Sequence, residues 1–68
     1  MIDDTTRPEE AIRLAIEREK KAYEFYTQAA RTARYPGTKE MFEALAREEL
    51  KHRKMLEEEL NKDYYREM

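Results

Sequence analysis

Apolar residues recur at alternating steps of three and four along two stretches of this chain, and each stripe is interrupted by charge near its middle. In the first stretch, Ile12, Ile16, Tyr23, Tyr26, Ala30 and Ala33 keep that spacing only if position 19 is counted, and position 19 is Glu19. In the second, Phe42, Leu45, Leu56 and Leu60 leave two slots that Glu49 and His52 fill. A repeat of about 100° per residue predicts two amphipathic helices with one apolar seam each. Both stretches are rich in Ala, Glu, Lys, Arg, Leu and Met, which favour helix. Between them, Tyr35-Pro36-Gly37-Thr38 is the one strong breaker in the interior. The pattern therefore predicts helix A over about 7–34, a turn at 35–38 and helix B over about 39–64.

The ends carry their own signals. Thr6 is a candidate N-cap, with Glu9 three residues on completing a capping box and Pro8 in the first turn, where its missing N–H costs nothing. Thr38 is the corresponding cap for helix B, and Met1 to Thr5 reads as a frayed arm. At ~1.5 Å per residue each helix spans roughly 40 Å, and so short a connection folds them back antiparallel. The expected fold is all-α: a two-helix hairpin forming a single domain over residues 1–68.

A hairpin of 68 residues has no second layer to cover its seam. Small scaffolds of this kind take their stability from a disulfide, a metal or a partner chain. With no cysteine, disulfides and all thiolate metal chemistry are excluded, which leaves oligomerisation, a metal held by O and N ligands, or both. Charged residues make up 44% of the chain, yet the net charge is −2, because the signs alternate, as in Glu17-Arg18-Glu19-Lys20-Lys21. Such mixing reads as solvated helix faces with i,i+4 pairs and argues against nucleic-acid binding. No apolar run reaches membrane-spanning length and no signal peptide opens the chain, so the expected setting is soluble and cytoplasmic.

Charge in a predicted core is expensive unless paired or metal-bound. Glu49 and His52 stand one helical turn apart, and antiparallel pairing brings Glu19 level with them. Tyr23 and Tyr26 project within a few tens of degrees of Glu19. Singly, a core histidine or glutamate is an ordinary register device, and Arg53 offers Glu49 an ion-pair partner. Together, two carboxylates and an imidazole on one face at one level form a donor set for a metal. One hairpin supplies too few ligands for a closed site. A twofold dimer supplies four Glu and two His, and makes a four-helix bundle with one continuous core. That is the ligand set of di-iron carboxylate bundles, suited to iron or manganese, with the site on the dimer axis.

Ala15-Ile16-Glu17-Arg18-Glu19-Lys20-Lys21-Ala22-Tyr23-Glu24-Phe25-Tyr26 resembles the first ligand helix of the ferritin-like superfamily, in its rubrerythrin branch. Phe42-Glu43-Ala44-Leu45-Ala46-Arg47-Glu48-Glu49-Leu50-Lys51-His52 resembles the second, ending in that family's Glu-x-x-His. The single hairpin is similar to those of the encapsulated ferritins, which build their site between two chains inside a protein shell. The resemblance implies a ferroxidase of iron storage or detoxification, with iron as the metal and manganese or zinc as substitutes. It implies Glu49 as the bridging ligand, Glu19 and His52 as terminal ligands, and Tyr26 behind them, positioned to hydrogen-bond a carboxylate; Tyr23, by its angle from Glu19, is placed in the same outer layer. It also implies a homodimer, a higher homo-oligomer and an encapsulin-type shell as partner, although no apolar docking tail is evident. The alternatives are a rubrerythrin-like peroxide reductase, fed by a separate electron donor because the chain has no cysteine, and a non-enzymatic helical-hairpin oligomer. Leu14 and Phe25 lie on a flank about 120–140° from Glu19, where they can join one dimer to another.

Overall fold

The computed structural model describes residues 2–62 and shows two helices, α1 (Pro8–Thr32) and α2 (Pro36–Leu60). They pack side by side as an antiparallel hairpin, with no strand among the described residues. Two cross-helix pairs fix the register: His52 Nδ1 lies 3.1 Å from Glu19 Oε2, and the rings of Tyr26 and Phe42 stack with centroids 6.2 Å apart. Phe25 meets Tyr26 edge-on at 5.4 Å, on the outer side of α1.

The break between the helices lies earlier than the sequence pattern puts it. α1 stops at Thr32, whose hydroxyl donates to the Ala29 carbonyl at 3.2 Å, and the connection is Ala33, Arg34 and Tyr35. Pro36 does not interrupt; it opens α2 as its first helical residue, because its fixed φ suits that position and its missing N–H is not needed there. Steric conflict with the Pro36 ring keeps Tyr35 extended, at φ −109° and ψ 140°, so Tyr35 and not Thr38 is the N-cap. Gly37 sits in the first helical turn without a positive φ, and nothing lies within 4 Å of the point where a Cβ would stand.

The start of α1 is corrected in the same way. Arg7 is the N-cap and its backbone N–H donates to Glu10 Oε1 at 3.3 Å, so Glu10 takes the role assigned to Glu9. Thr6 is occupied elsewhere, its hydroxyl accepting the Asp3 N–H at 3.0 Å. Asp3 in turn accepts from the Thr5 N–H at 2.8 Å and the Thr5 hydroxyl at 2.6 Å, which hold its carboxyl below the usual carboxylate range. Residues 3–6 thus form a hydrogen-bonded turn where a frayed arm was expected. The expected end of helix B near residue 64 lies outside the described residues.

The hairpin measures 48 × 23 × 12 Å, one helix thick in its short dimension. Its core is correspondingly thin: Ile16 and Leu60 toward the open end, Ala30 and Ala46 toward the turn, and, among the described residues, no large side chain fully enclosed. Leu45, expected in the seam, remains 36% exposed, as do Met41 at 50% and Met55 at 61%. These three flank His52 on one face of α2, at about −40° to −120° from Glu49 when positions are counted at 100° per residue. Leu14 and Phe25 are exposed on the outer flank, as expected.

Candidate metal centre

Halfway along the hairpin the two interruptions of the seam meet. α1 contributes Glu19, and α2 contributes Glu49 and His52 from consecutive turns of one face. His52 Nδ1 lies 3.1 Å from Glu19 Oε2 and 3.5 Å from Glu49 Oε1. One donor atom from each residue falls within 4.8 Å of the other two. Donors held at ~2.1 Å from one ion stand about 3.0–3.4 Å apart when adjacent, so these separations are close to those of ligands around a single metal.

The electrostatics point the same way. Two carboxylates are held together by the fold, and a proton shared with Glu19, followed by partial burial and the Glu19 charge, pushes Glu49 above the usual carboxylate range, with His52 opposing. A group that holds a proton against a neighbouring like charge has a site for a cation. The donor types, hard oxygens with one imidazole nitrogen, suit Fe(II), Mn(II) or Zn(II). Glu19 and Glu49 side chains are 22% and 16% exposed, whereas His52 is 49% exposed. The site is therefore closed on the α1–α2 side and open on the face that carries Leu45.

Of the residues marked in the sequence, Glu19, Glu49 and His52 come together as expected. The tyrosines part company. Tyr26 stacks on Phe42 along the seam, while Tyr23 lines a groove on the opposite side of the hairpin with Thr27 and Arg47. Among the described residues, neither hydroxyl hydrogen-bonds a ligand carboxylate. Arg53, the alternative partner for Glu49, pairs instead with Glu57 at 3.6 Å. Glu49 is thus left to Glu19 and His52.

Sequence reading passed over Glu48. Its Oε1 lies 3.9 Å from His52 Nε2, the ring nitrogen turned away from the ligands, while its Oε2 is 3.4 Å from Lys51 Nζ. The i,i+4 spacing of Glu48 and His52 was the available signal.

No described helix is long and apolar enough to cross a membrane. A search of curated proteins and of solved structures finds no match to this chain. The rubrerythrin family model matches residues 10–67, a span that takes in both helices and all three ligand candidates. With Glu19 and the Glu49-x-x-His52 pair standing together in a helical hairpin, the chain belongs to the rubrerythrin family.

Proposed function

We propose that two hairpins pair through the face bearing Leu45 and His52, and that the four glutamates and two histidines so gathered bind and oxidise Fe(II). The observation that carries this reading is the ligand spacing: 3.1 and 3.5 Å from one imidazole nitrogen to two carboxylates on different helices.

The pairing is supported by what a single hairpin leaves undone. Its accessible surface is 5749 Å², against about 4,600 Å² for a compact monomer of the same mass. The excess of roughly 1,100 Å² is comparable to the ~800 Å² that each partner buries in a stable interface. The open face is also suited to close approach, since α1 presents Ala15, Ala22 and Ala29 beside Glu19, and α2 presents Leu45 and Met41 beside His52. Helix positions at about −40° to −80° on both elements point to this same side.

Within such a bundle, Glu19, Glu49 and His52 of each chain hold metal. Iron supplies one-electron redox chemistry at the site; the chain's own part is to gather, orient and neutralise. Glu49, the least exposed of the three side chains, would be the bridging carboxylate, as the family resemblance implies. Its carboxyl, held above its ordinary range beside Glu19, gives up on loading whatever proton it still carries. Fe(II) is the substrate, each ion giving up one electron to O₂ or to peroxide. Family membership also supports peroxide as the physiological oxidant, and this chain, having no cysteine, then draws its electrons from a separate donor.

The test is an aerobic Fe(II) titration of the metal-free protein, followed by ferric absorbance in the near ultraviolet. Saturation near two irons per dimer is expected, with Glu49→Ala abolishing the signal. A wild-type protein that binds no Fe(II), Mn(II) or Zn(II) would return the cluster to a structural role and leave only a helical-hairpin oligomer.

A further inference from the structure

The groove on the opposite face has a composition unlike the rest of the molecule. Three cations line it, Arg31 from α1 and Lys39 and Arg47 from α2, with Glu43 as the single carboxylate. Tyr23 and Thr27 line the same space, over a floor that includes the buried Ala30 and Ala46. Elsewhere among the described residues some basic side chains are ion-paired, Arg7 with Glu9, Lys20 with Glu17, Lys51 with Glu48 and Arg53 with Glu57, and others such as Lys21 and Lys54 are not; the groove differs in gathering three cations around one carboxylate. Among the described residues, Lys39 and Arg47 make no ion pair, even though Glu43 lies one turn from each, and Arg31 has only a 3.5 Å bond to Gln28. The first turn of α2 carries no acidic residue, so the positive end of that helix is not cancelled where Lys39 leaves it.

We infer that this groove binds a small tetrahedral oxyanion of the phosphate class. Arg31, Lys39 and Arg47 line it from both helices, guanidinium forks match phosphate oxygens in pairs, and the hydroxyl-bearing Tyr23 and Thr27 offer neutral donors. In a chain of net charge −2, a local excess of cations over carboxylates does not follow from composition. The inference also gives Tyr23 an occupation, since it faces this groove and not the metal centre. Positions at about +40° to +160° from the ligand residues put the groove on the far side from Leu45 and His52, so pairing of hairpins through the site leaves it open. The proposal stands or falls independently of the metal chemistry.

The experiment is a backbone-amide NMR titration of the metal-free full chain with inorganic phosphate at constant ionic strength, with chloride as control. Saturable shifts are expected at Tyr23, Thr27, Arg31, Lys39 and Arg47, with a Kd in the millimolar range that exposed cations provide. Lys39→Glu combined with Arg47→Glu should weaken binding about tenfold or more, and Glu43→Gln should tighten it a few-fold, by removing the one repulsive charge. The charge reversals leave the helices intact, since Lys39 and Arg47 are exposed and an acidic residue near the start of α2 favours that helix. A phosphate monoester run in parallel distinguishes the source: tighter binding of the ester identifies a phosphate carried on a small molecule, and tighter binding of the inorganic ion a free one. Shifts that do not saturate, that spread equally to Lys21 and Lys54, or that survive the double reversal would overturn the proposal.

Discussion

The two faces of this hairpin are both open to solvent, and they are open for different reasons. One carries Glu19, Glu49 and His52 set among alanines, Leu45 and Met41; the other carries Arg31, Lys39, Arg47 and two hydroxyls around a groove. Solvent suits the second face, where unpaired cations keep their hydration. It does not suit the first, where apolar side chains stay wet and the neighbouring Glu19 pushes Glu49 above its ordinary range. A small thin fold cannot hide every face, and the chemistry of an exposed face shows whether it waits for a chain or for an ion. On the readings proposed above, the ligand face takes both a second chain and a cation, the groove only an anion.

The sharpest way to break this contrast is to remove a ligand from one face and a cation from the other. Glu19→Ala should cost more than about a hundredfold in Co(II) or Zn(II) affinity, since loss even of a group supporting a ligand costs ten- to a hundredfold. Arg47→Glu should leave that affinity within about twofold, because it lies on the far face and touches no ligand. Calorimetric titration of both variants measures this, and equal losses would mean that the two faces are not separate sites.

The next effect concerns assembly. Leu45→Lys puts a charge into the proposed interface beside His52 and should shift the monomer–dimer equilibrium at least about tenfold toward monomer. Leu50→Lys makes the same change on the groove side, where Leu50 is already 41% exposed, and should leave the equilibrium unchanged. Sedimentation velocity across a dilution series compares them. Added metal should restore part of the dimer in Leu45→Lys, since the proposed ligand set would close only across the interface. A dimer that tolerates Leu45→Lys but not Leu50→Lys would reverse the assignment of faces.

Much of this was legible from the order of residues, and the parts that were not share a cause. Glu19, Glu49 and His52 stood out because each broke a regular stripe, and helical periodicity carries that information along the whole chain. The helix starts were misplaced because capping is decided by local competition. Thr6 is a good cap in isolation, but its hydroxyl is taken by Asp3; Thr38 is another, but Pro36 starts the helix before it. Tyr23 was assigned to the metal centre on angle alone, and about 60° of rotation between it and Tyr26 was enough to put it on the groove side of the hairpin. The basic groove was illegible because its three cations come from positions 31, 39 and 47, spread over both helices in a chain where every stretch looks equally charged.

A smaller effect follows from the shared proton. Glu49 binds its proton more tightly in the folded hairpin than in the unfolded chain, so the native state holds more protons across the interval between the two pKa values. Stability of the metal-free protein should therefore fall as pH rises from the ordinary glutamate range through the raised value, and level off above it. Glu49→Gln should flatten that slope, while Glu43→Gln in the groove should not. Chemical denaturation at a series of pH values reads the difference, and a wild-type slope unchanged in Glu49→Gln would show that the two carboxylates do not share a proton.

The smallest expected effect lies at the rim of the ligand face. Glu48 holds one oxygen toward Lys51 and the other 3.9 Å from His52 Nε2, longer than a hydrogen bond but within reach of a small side-chain rotation. A metal on Nδ1 requires the ring proton to sit on Nε2, and a carboxylate accepting it there fixes both the tautomer and the ring orientation. Glu48 is 54% exposed, so its influence belongs at the low end of what such supporting groups contribute. Glu48→Gln should weaken metal binding only a few-fold, and nitrogen chemical shifts of His52 in the metal-free protein should show less of the Nε2-protonated form. Glu58→Gln, a substitution with no ligand beside it, serves as the control. Loss of affinity without any change in the His52 tautomer would assign Glu48 to the general negative field of the site, and the ring would then owe its orientation to Glu19 and Glu49 alone.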